Sequence, residues 1–326
     1  MLEATVPRPL DEASTDVGRT RNFGFEPVSV SQSSAPSRML ERYEPLDQLA
    51  RGGMGQVLLA VERPTGRRVA LKLMHGHMLN DEALVQQFAR EALITARLEH
   101  PNVVPVYDLG FIGGGELYYA MRFVKGQSLR AAMPKVDRPR LLRALSAAAR
   151  GVCFAHEQGL WHRDVKPENI LLGPHEDTYV IDWGLVSLVK GARFEFVPAG
   201  VSLGKQPILE FHEQRATEKA LTGSGAMMGT LPYMAPEQAM ADDRIGPGSD
   251  AWAFGVMLCE LVSGEHPYCS PTEQNGNAVV HDLIQFARAP KFSAKFDATL
   301  EPLARGLLAQ ETQTRLSALR TLSQTW

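Results

Sequence analysis

In the run His162-Arg163-Asp164-Val165-Lys166-Pro167-Glu168-Asn169, a carboxylate, an ammonium and a carboxamide follow one another at fixed spacing. Phosphoryl transfer from a metal-bound nucleotide calls for those groups: a base for the incoming hydroxyl, a cation on the moving phosphoryl, and an amide oxygen for a metal. Asp182, in Asp182-Trp183-Gly184, comes 13 residues after Asn169 and offers a second hard oxygen ligand. The plain alternative is a chance polar turn. The length of the run and the placement of the second aspartate argue against it.

These groups need elements to hold them. Tyr43 to Leu49, Gln56 to Glu62 and Arg68 to Met74 alternate or run apolar as strands do, with Pro64-Thr65-Gly66 as a hairpin turn. Between the first two lies Ala50-Arg51-Gly52-Gly53-Met54-Gly55-Gln56-Val57. Glycines admit unusual φ values and let backbone N–H groups approach phosphates, although a glycine cluster between strands is by itself an ordinary turn signal. Lys72, in Val69-Ala70-Leu71-Lys72, is a cation on an apolar strand and so requires a partner carboxylate. A following helix, capped by Asn80 or Asp81, carries Leu84, Phe88, Thr95 and Leu98 at helical spacing. Glu91 falls on that face, seven residues from both Leu84 and Leu98; the bland reading is a solvated position, as for Glu82 and Arg90. Asp137 to Glu157 reads as a further helix leading to the polar run.

Together these motifs resemble the eukaryotic-type (Hanks-type) protein Ser/Thr kinases. The style of Gly-Gly-Met-Gly, His100-Pro101-Asn102-Val103-Val104 and Met234-Ala235-Pro236-Glu237-Gln238 is closest to bacterial members. The resemblance covers about Tyr43 to Leu322 and implies an α+β, two-lobed fold: a small β-rich N-lobe with one main helix and a larger helical C-lobe. It places a kinase domain at 42–326, with N-lobe 42–121, hinge 122–126, C-lobe 127–326 and an activation segment at 182–237. It implies transfer of the γ-phosphate of ATP to Ser/Thr hydroxyls of protein substrates, with autophosphorylation. In that scheme Asp164 orients and deprotonates the hydroxyl, Lys166 neutralises the transferring phosphoryl, and Asn169 and Asp182 hold Mg²⁺, with Mn²⁺ as a substitute. Lys72 contacts the α- and β-phosphates and Glu91 positions it. Gly52, Gly53 and Gly55 cover the nucleotide, and Leu49, Val57, Ala70 and Leu171 wall the purine. Met121 guards the back of that slot, and Phe123 and Val124 belong to the hinge. His162 is expected to pack near Trp183 as a structural residue, and Asp250 to anchor the catalytic-loop backbone. Glu237 is expected to pair with Arg315.

The chain departs from the family pattern at several points. Ala50 stands where the first loop glycine is usual, which implies a stiffer lid. Arg122 replaces a common acidic residue, with its side chain expected to point outward. Trp183 replaces a phenylalanine; either the core accommodates it or it biases the metal-binding segment. The segment from Asp182 to Glu237 is 56 residues long and includes apolar stretches at Phe194–Gly200 and Pro207–Phe211. Lys166 and Thr230 are the residues that resemble Ser/Thr specificity. Arg163 before Asp164 implies pairing with an activation-segment phosphate, for which Thr222 and Ser224 are the candidates, whereas Thr230 is expected against the catalytic loop. The alternative for Thr222 and Ser224 is that both are ordinary polar residues of a Gly-rich loop.

Composition narrows the remaining classes. A net charge of −3 gives no case for a nucleic-acid surface or a polybasic membrane patch. No apolar run approaches the roughly 20 residues of a membrane span. The three scattered cysteines form neither a disulfide framework nor a zinc motif, and a cytoplasmic location is expected. Residues 1–41, rich in Pro and Ser, read as a flexible leader; Phe23, Phe25 and Val28 are its candidates for docking on the domain. Two other functions compete: a pseudokinase scaffold with little turnover, supported by Ala50, Trp183 and the long segment, and a small-molecule phosphotransferase, which would not need the loop from Gly229 to Glu237.

Overall fold

Strand alternation at the N-terminal end places one set of side chains under a helix and the other on the opposite face. The computed structural model describes residues 42–111, 116–188, 231–240, 245–268, 290, 292 and 295–326. The leader, the candidate sites Thr222, Ser224 and Thr230, and both apolar stretches of the long segment lie outside the described residues.

Five strands, β1 (Tyr43–Arg51), β2 (Gly55–Glu62), β3 (Arg67–Met74), β4 (Val106–Phe111) and β5 (Leu117–Arg122), form an antiparallel sheet in the order β1-β2-β3-β5-β4. Glycine at position 66 takes a φ of 67° in the β2–β3 hairpin, where a side chain would be strained. Helix α1 (Glu82–Arg97) packs on β4 and β5, and Asp81 caps it by accepting from the backbone N–H groups of Ala83 and Leu84. Leu71, Leu73, Tyr118 and Ala120 gather on one face of the sheet. Met74, Leu117 and Tyr119 meet Val85, Phe88, Ala89 and Ala92 of α1 on the other. Arg90, expected to be solvated, is only partly exposed, and burial lowers its pKa.

β1 runs two residues beyond the expected strand. Ala50 therefore lies in the ladder, paired with Val57 after an irregularity at Gln48. An L-residue is at ease in extended backbone, which explains how alanine stands there without disturbing the turn that follows.

The rest of the chain is mainly helical. After β6 (Gln127–Ser128) and the short α2 (Leu129–Ala132), the long α3 (Arg138–Glu157) is capped by Asp137, which accepts from the Arg140 N–H. Short strands β7 (Leu160–Trp161), β8 (Ile170–Leu172), β9 (Thr178–Val180) and β10 (Ser187–Leu188) frame the loop of residues 162–169. β6, β8 and β9 form one small sheet, and β7 pairs with β10. The short α4 (Pro236–Ala239) precedes α5 (Pro247–Ser263), and α6 (Glu301–Leu307) and α7 (Thr312–Thr325) close the described chain. Helices α3, α5, α6 and α7 pack on one another around Leu145, Val152, Phe254, Leu258, Leu307 and Leu319, all fully buried. Gly126 joins the two halves: a Cβ there would sit 1.8 Å from the Leu172 carbonyl oxygen, so only glycine lets the hinge pass so close to β8.

Candidate active site

Three elements converge on one group of charges. From β3, Lys72 extends its Nζ to Glu91 Oε1 of α1 at 2.5 Å, and lies 3.8 Å from Asp182 Oδ1. Burial alone would lower the Lys72 pKa, but the Glu91 and Asp182 carboxylates outweigh it and hold the ammonium above its ordinary value. Glu91 is 2% exposed, so the reading of it as a solvated position is excluded. Tyr119 of β5 also donates its hydroxyl to Glu91 Oε1, at 2.5 Å. Gln87, one turn earlier on α1, donates to the Gly184 carbonyl at 3.3 Å and ties the helix to the Asp182-Trp183-Gly184 segment.

The loop after β7 supplies the second cluster. Lys166 Nζ donates to Asp164 Oδ2 at 2.6 Å, and Asn169 Nδ2 donates to the Asp164 backbone oxygen at 2.9 Å and to Oδ2 at 3.3 Å. Asp164 Oδ1 is buried with no hydrogen-bond partner among the described residues. An acceptor in that position suits an incoming hydroxyl donor. Burial pushes the Asp164 carboxyl above its ordinary value, with Lys166 and His162 holding it partly back and Asp182 adding to the rise. The amide nitrogen of Asn169 is thus committed to Asp164, and its amide oxygen is the group left to act as an acceptor. The Ile181 N–H donates to the Asn169 carbonyl at 2.9 Å and so brings Asp182 beside that loop. Asp182 adopts a φ of 64°, uncommon for a side-chain-bearing residue, and its carboxylate is 46% exposed.

Asp250, buried at the start of α5, fixes the loop backbone. Its two oxygens accept the N–H groups of His162 and Arg163, each at 2.8 Å, and His156 Nε2 donates to it at the same distance. His162 is fully buried against the Trp183 ring, with centroids 4.6 Å apart. Its Nδ1 accepts the Asp164 N–H and its Nε2 donates to the Ile181 carbonyl, which sets the Nε2–H tautomer. Trp183 is also fully buried, and its Nε1 has no partner among the described residues. Arg163 turns through a φ of 73° with its guanidinium 5.2 Å from the Trp161 ring centroid. Farther out, Glu237 meets Arg315 Nη1 at 2.6 Å and accepts from Ser249 Oγ at 2.8 Å.

Of the residues expected to wall a purine slot, Leu49, Val57 and Ala70 fall on the adjacent strands β1, β2 and β3, and Leu171 on β8 of the small sheet. Val57 pairs with Lys72, and Ala70 pairs with Met121 across β3 and β5. Leu171 lies on β8 opposite Ser128, and Leu49 remains 44% exposed on β1. Phe123 and Val124 follow β5 in the hinge, both partly exposed. Arg122 points outward as expected, its guanidinium over the Tyr179 ring at 4.9 Å. In the glycine loop, the Gly52 N–H donates to the Gly55 carbonyl at 2.8 Å, and a Cβ at Gly55 would lie 2.0 Å from the Leu73 oxygen. A Cβ at Gly53 would meet nothing within 4 Å among the described residues.

Two contacts were not anticipated. His75 reaches the glycine loop twice, through its backbone N–H to Met54 O and its Nε2 to Gly52 O, both at 3.1 Å. Tyr119 joins the Lys72–Glu91 pair. The available signal for Tyr119 was its place two residues before Met121 on a strand whose alternate side chains face α1.

The donor set fits a hard cation held with nucleotide phosphates: one carboxylate and one amide oxygen, next to two ammonium groups. Among the described residues no group of three or more His, Cys, Asp or Glu gathers to hold a metal by protein ligands alone.

A model of the protein kinase domain family matches residues 43–326. The serine/threonine-protein kinase PknA of Mycobacterium tuberculosis is 35% identical over 234 residues, which cover 70% of this chain and 48% of that protein. PknD of Chlamydia trachomatis is 31% identical over 243 residues, 70% of this chain and 25% of that protein. PknD of Protochlamydia amoebophila is 28% identical over 241 residues, 69% of this chain and 23% of that protein. The chain thus spans half or less of the length of these relatives. With the family match running from β1 to the end of the last helix, and with a β-sheet lobe and a helical lobe meeting at the charges described, the chain belongs to the protein kinase family.

Proposed function

We propose that this chain transfers the γ-phosphate of ATP to Ser or Thr hydroxyls of protein substrates and autophosphorylates. The observation that carries the reading is the convergence of Lys72–Glu91, Asp164–Lys166–Asn169 and Asp182. The serine/threonine-protein kinase names of the relatives support the Ser/Thr choice.

The roles follow from charge and position. Lys72, kept protonated by Glu91, binds the α- and β-phosphates. Asp164 accepts the proton of the substrate hydroxyl at its unpartnered Oδ1, while its Oδ2 stays with Lys166. Lys166, 18% exposed, turns toward the charge that develops on the transferring phosphoryl. Asn169 and Asp182 would hold the divalent ion, which would supply positive charge against the nucleotide phosphates. Mg²⁺ is the preferred ion and Mn²⁺ a substitute, since both accept these oxygen donors. The purine lies between Leu49, Val57 and Ala70 above and Leu171 below, with Met121 behind it and Phe123 and Val124 at the hinge. Gly52, Gly53 and Gly55 cover the phosphates.

Residues 1–41 form a leader outside a kinase domain at 42–326, divided as N-lobe 42–121, hinge 122–126 and C-lobe 127–326. The domain works in the cytoplasm, where ATP is supplied and where Cys153 and Cys259 stay as free thiols. No helix among the described residues is long and apolar enough to cross a membrane.

The test is incubation of the purified chain with γ-labelled ATP, generic protein substrates, and Mg²⁺ or Mn²⁺. Label on Ser or Thr is expected, with more turnover in Mg²⁺. Nucleotide binding without transfer to any protein would support the scaffold alternative instead.

A further inference from the structure

Lys72 and Tyr119 are direct partners across β3 and β5, so their side chains leave the sheet together on the face covered by α1. Both reach the same atom, Glu91 Oε1, each at 2.5 Å. The Tyr119 ring packs on Phe88 of α1, with centroids 5.2 Å apart, and Lys72 Nζ lies 5.6 Å from the Tyr119 centroid. Around it stand Met74, Val85, Ala89, Ala92 and Leu117, an apolar cluster that a phenylalanine would fill as well. A phenol hydroxyl buried among such groups is costly unless it is bonded, and this one bonds to the carboxylate that seats Lys72.

We propose that Tyr119 is a positioning residue for the transfer: its hydroxyl fixes the Glu91 carboxylate from the sheet side, and through it the seat of Lys72 and the placement of α1. The inference rests on the role of Glu91 proposed above. A carboxylate oxygen accepts two hydrogen bonds, so the hydroxyl and the ammonium do not compete. The hydroxyl keeps its proton, because burial and the Glu91 charge hold it well above the ordinary tyrosine value. Tyr119 sits on a strand flanked on both sides in the sheet. The arrangement of Lys72 and Glu91 therefore has a support that does not pass through the long segment after Asp182.

The test is a double-mutant cycle of Tyr119→Phe and Glu91→Ala, with Tyr119→Leu as a second variant lacking the hydroxyl. We expect Tyr119→Phe to lower kcat about tenfold and to raise KM for ATP less than about threefold, because placement rather than nucleotide contact is lost. Amide exchange in α1 of the nucleotide-free protein should quicken, and Tyr119→Phe should change kcat no further once Glu91 is alanine. Wild-type kcat and exchange in Tyr119→Phe would overturn the inference, as would an equal loss with and without Glu91. Full activity in Glu91→Ala alone would overturn the role of Glu91 itself, and this inference with it.

Discussion

The Asp250 carboxylate accepts the Arg163 backbone N–H at 2.8 Å, at the point where the chain turns through a φ of 73° immediately before Asp164. A positive φ at a side-chain-bearing residue persists only where its surroundings impose it. Asp250 also holds His162 N and His156, so one buried side chain secures three donors. Asp250→Ala should cost about 2–4 kcal/mol of stability, since those donors lose their acceptor. Denaturant titration reads the loss, and kcat should fall by at least about tenfold under conditions where the variant remains folded.

Lys72→Ala should nearly abolish transfer while the fold survives, because the lysine acts through charge on phosphates rather than through packing. Asp182→Asn should weaken nucleotide binding and raise the divalent-ion concentration needed for half-maximal rate, since a hard anionic ligand is lost. Steady-state rates over a Mg²⁺ series test both. An unchanged Mg²⁺ dependence in Asp182→Asn would remove that residue from the metal site.

The pH dependence follows from Asp164. Its pKa in the folded protein lies above the ordinary 3.8, chiefly through burial. Between the unfolded and folded values the folded state binds the extra proton, so this group favours folding as pH falls through that window. At neutral pH its buried charge opposes folding. Activity runs the other way, because the base must be unprotonated. The acid limb of kcat/KM should therefore lie above the value of an ordinary aspartate, and Asp164→Asn should remove activity while raising Tm at neutral pH. The gain in Tm should shrink in acid.

Glu237 and Arg315 form a buried ion pair, with side chains 5% and 3% exposed. Removing one partner strands the other charge, so Arg315→Ala should destabilise by about 3–5 kcal/mol. Replacing both by apolar residues of similar size, Glu237→Leu with Arg315→Met, should recover much of that loss. Thermal melts of the single and double variants decide it; a double variant no better than the single would mean that the pair also acts through Ser249, which donates to Glu237, and Trp252, whose ring centroid lies 4.8 Å from the Arg315 guanidinium.

We also propose a switch. Autophosphorylation at Thr222 or Ser224 would raise activity by pairing the new phosphate with Arg163, because a phosphate adds about −1.5 to −2 charge and bonds readily to guanidinium. Mass spectrometry before and after ATP treatment should find phosphate at one of these sites, and the Thr222→Ala/Ser224→Ala double variant should be several-fold slower. A fully active double variant without phosphate moves the switch elsewhere.

Much of this arrangement is legible in the chain because its parts are local in sequence or conspicuous in chemistry. The eight residues around Asp164 form one loop, and a lysine on an apolar strand announces its need for a carboxylate. Helical period puts Glu91 on the apolar face of its helix, and the resemblance together with the need of Lys72 for a carboxylate gives it a role. Tyr119 escapes such reading because tyrosine is an ordinary strand former, and its partner lies 28 positions away on another element. His75 acts partly through its backbone N–H, which no side-chain pattern encodes. Ala50 looks like a flaw in a glycine motif until the ladder is seen to extend through it.

The pairing of Glu237 with Arg315 has a temporal side. Chains are made from the N-terminus, and Arg315 follows Asp164 by 151 positions. At about 5–20 residues per second, roughly 8–30 s separate the synthesis of the two. Once Asp182 is made, 18 residues into that interval, the nascent chain holds Lys72, Asp164, Asn169 and Asp182 but not Arg315, the partner of Glu237. A ribosome-bound chain should thus pass through a period in which its nucleotide-side residues exist while its substrate-side loop has no anchor.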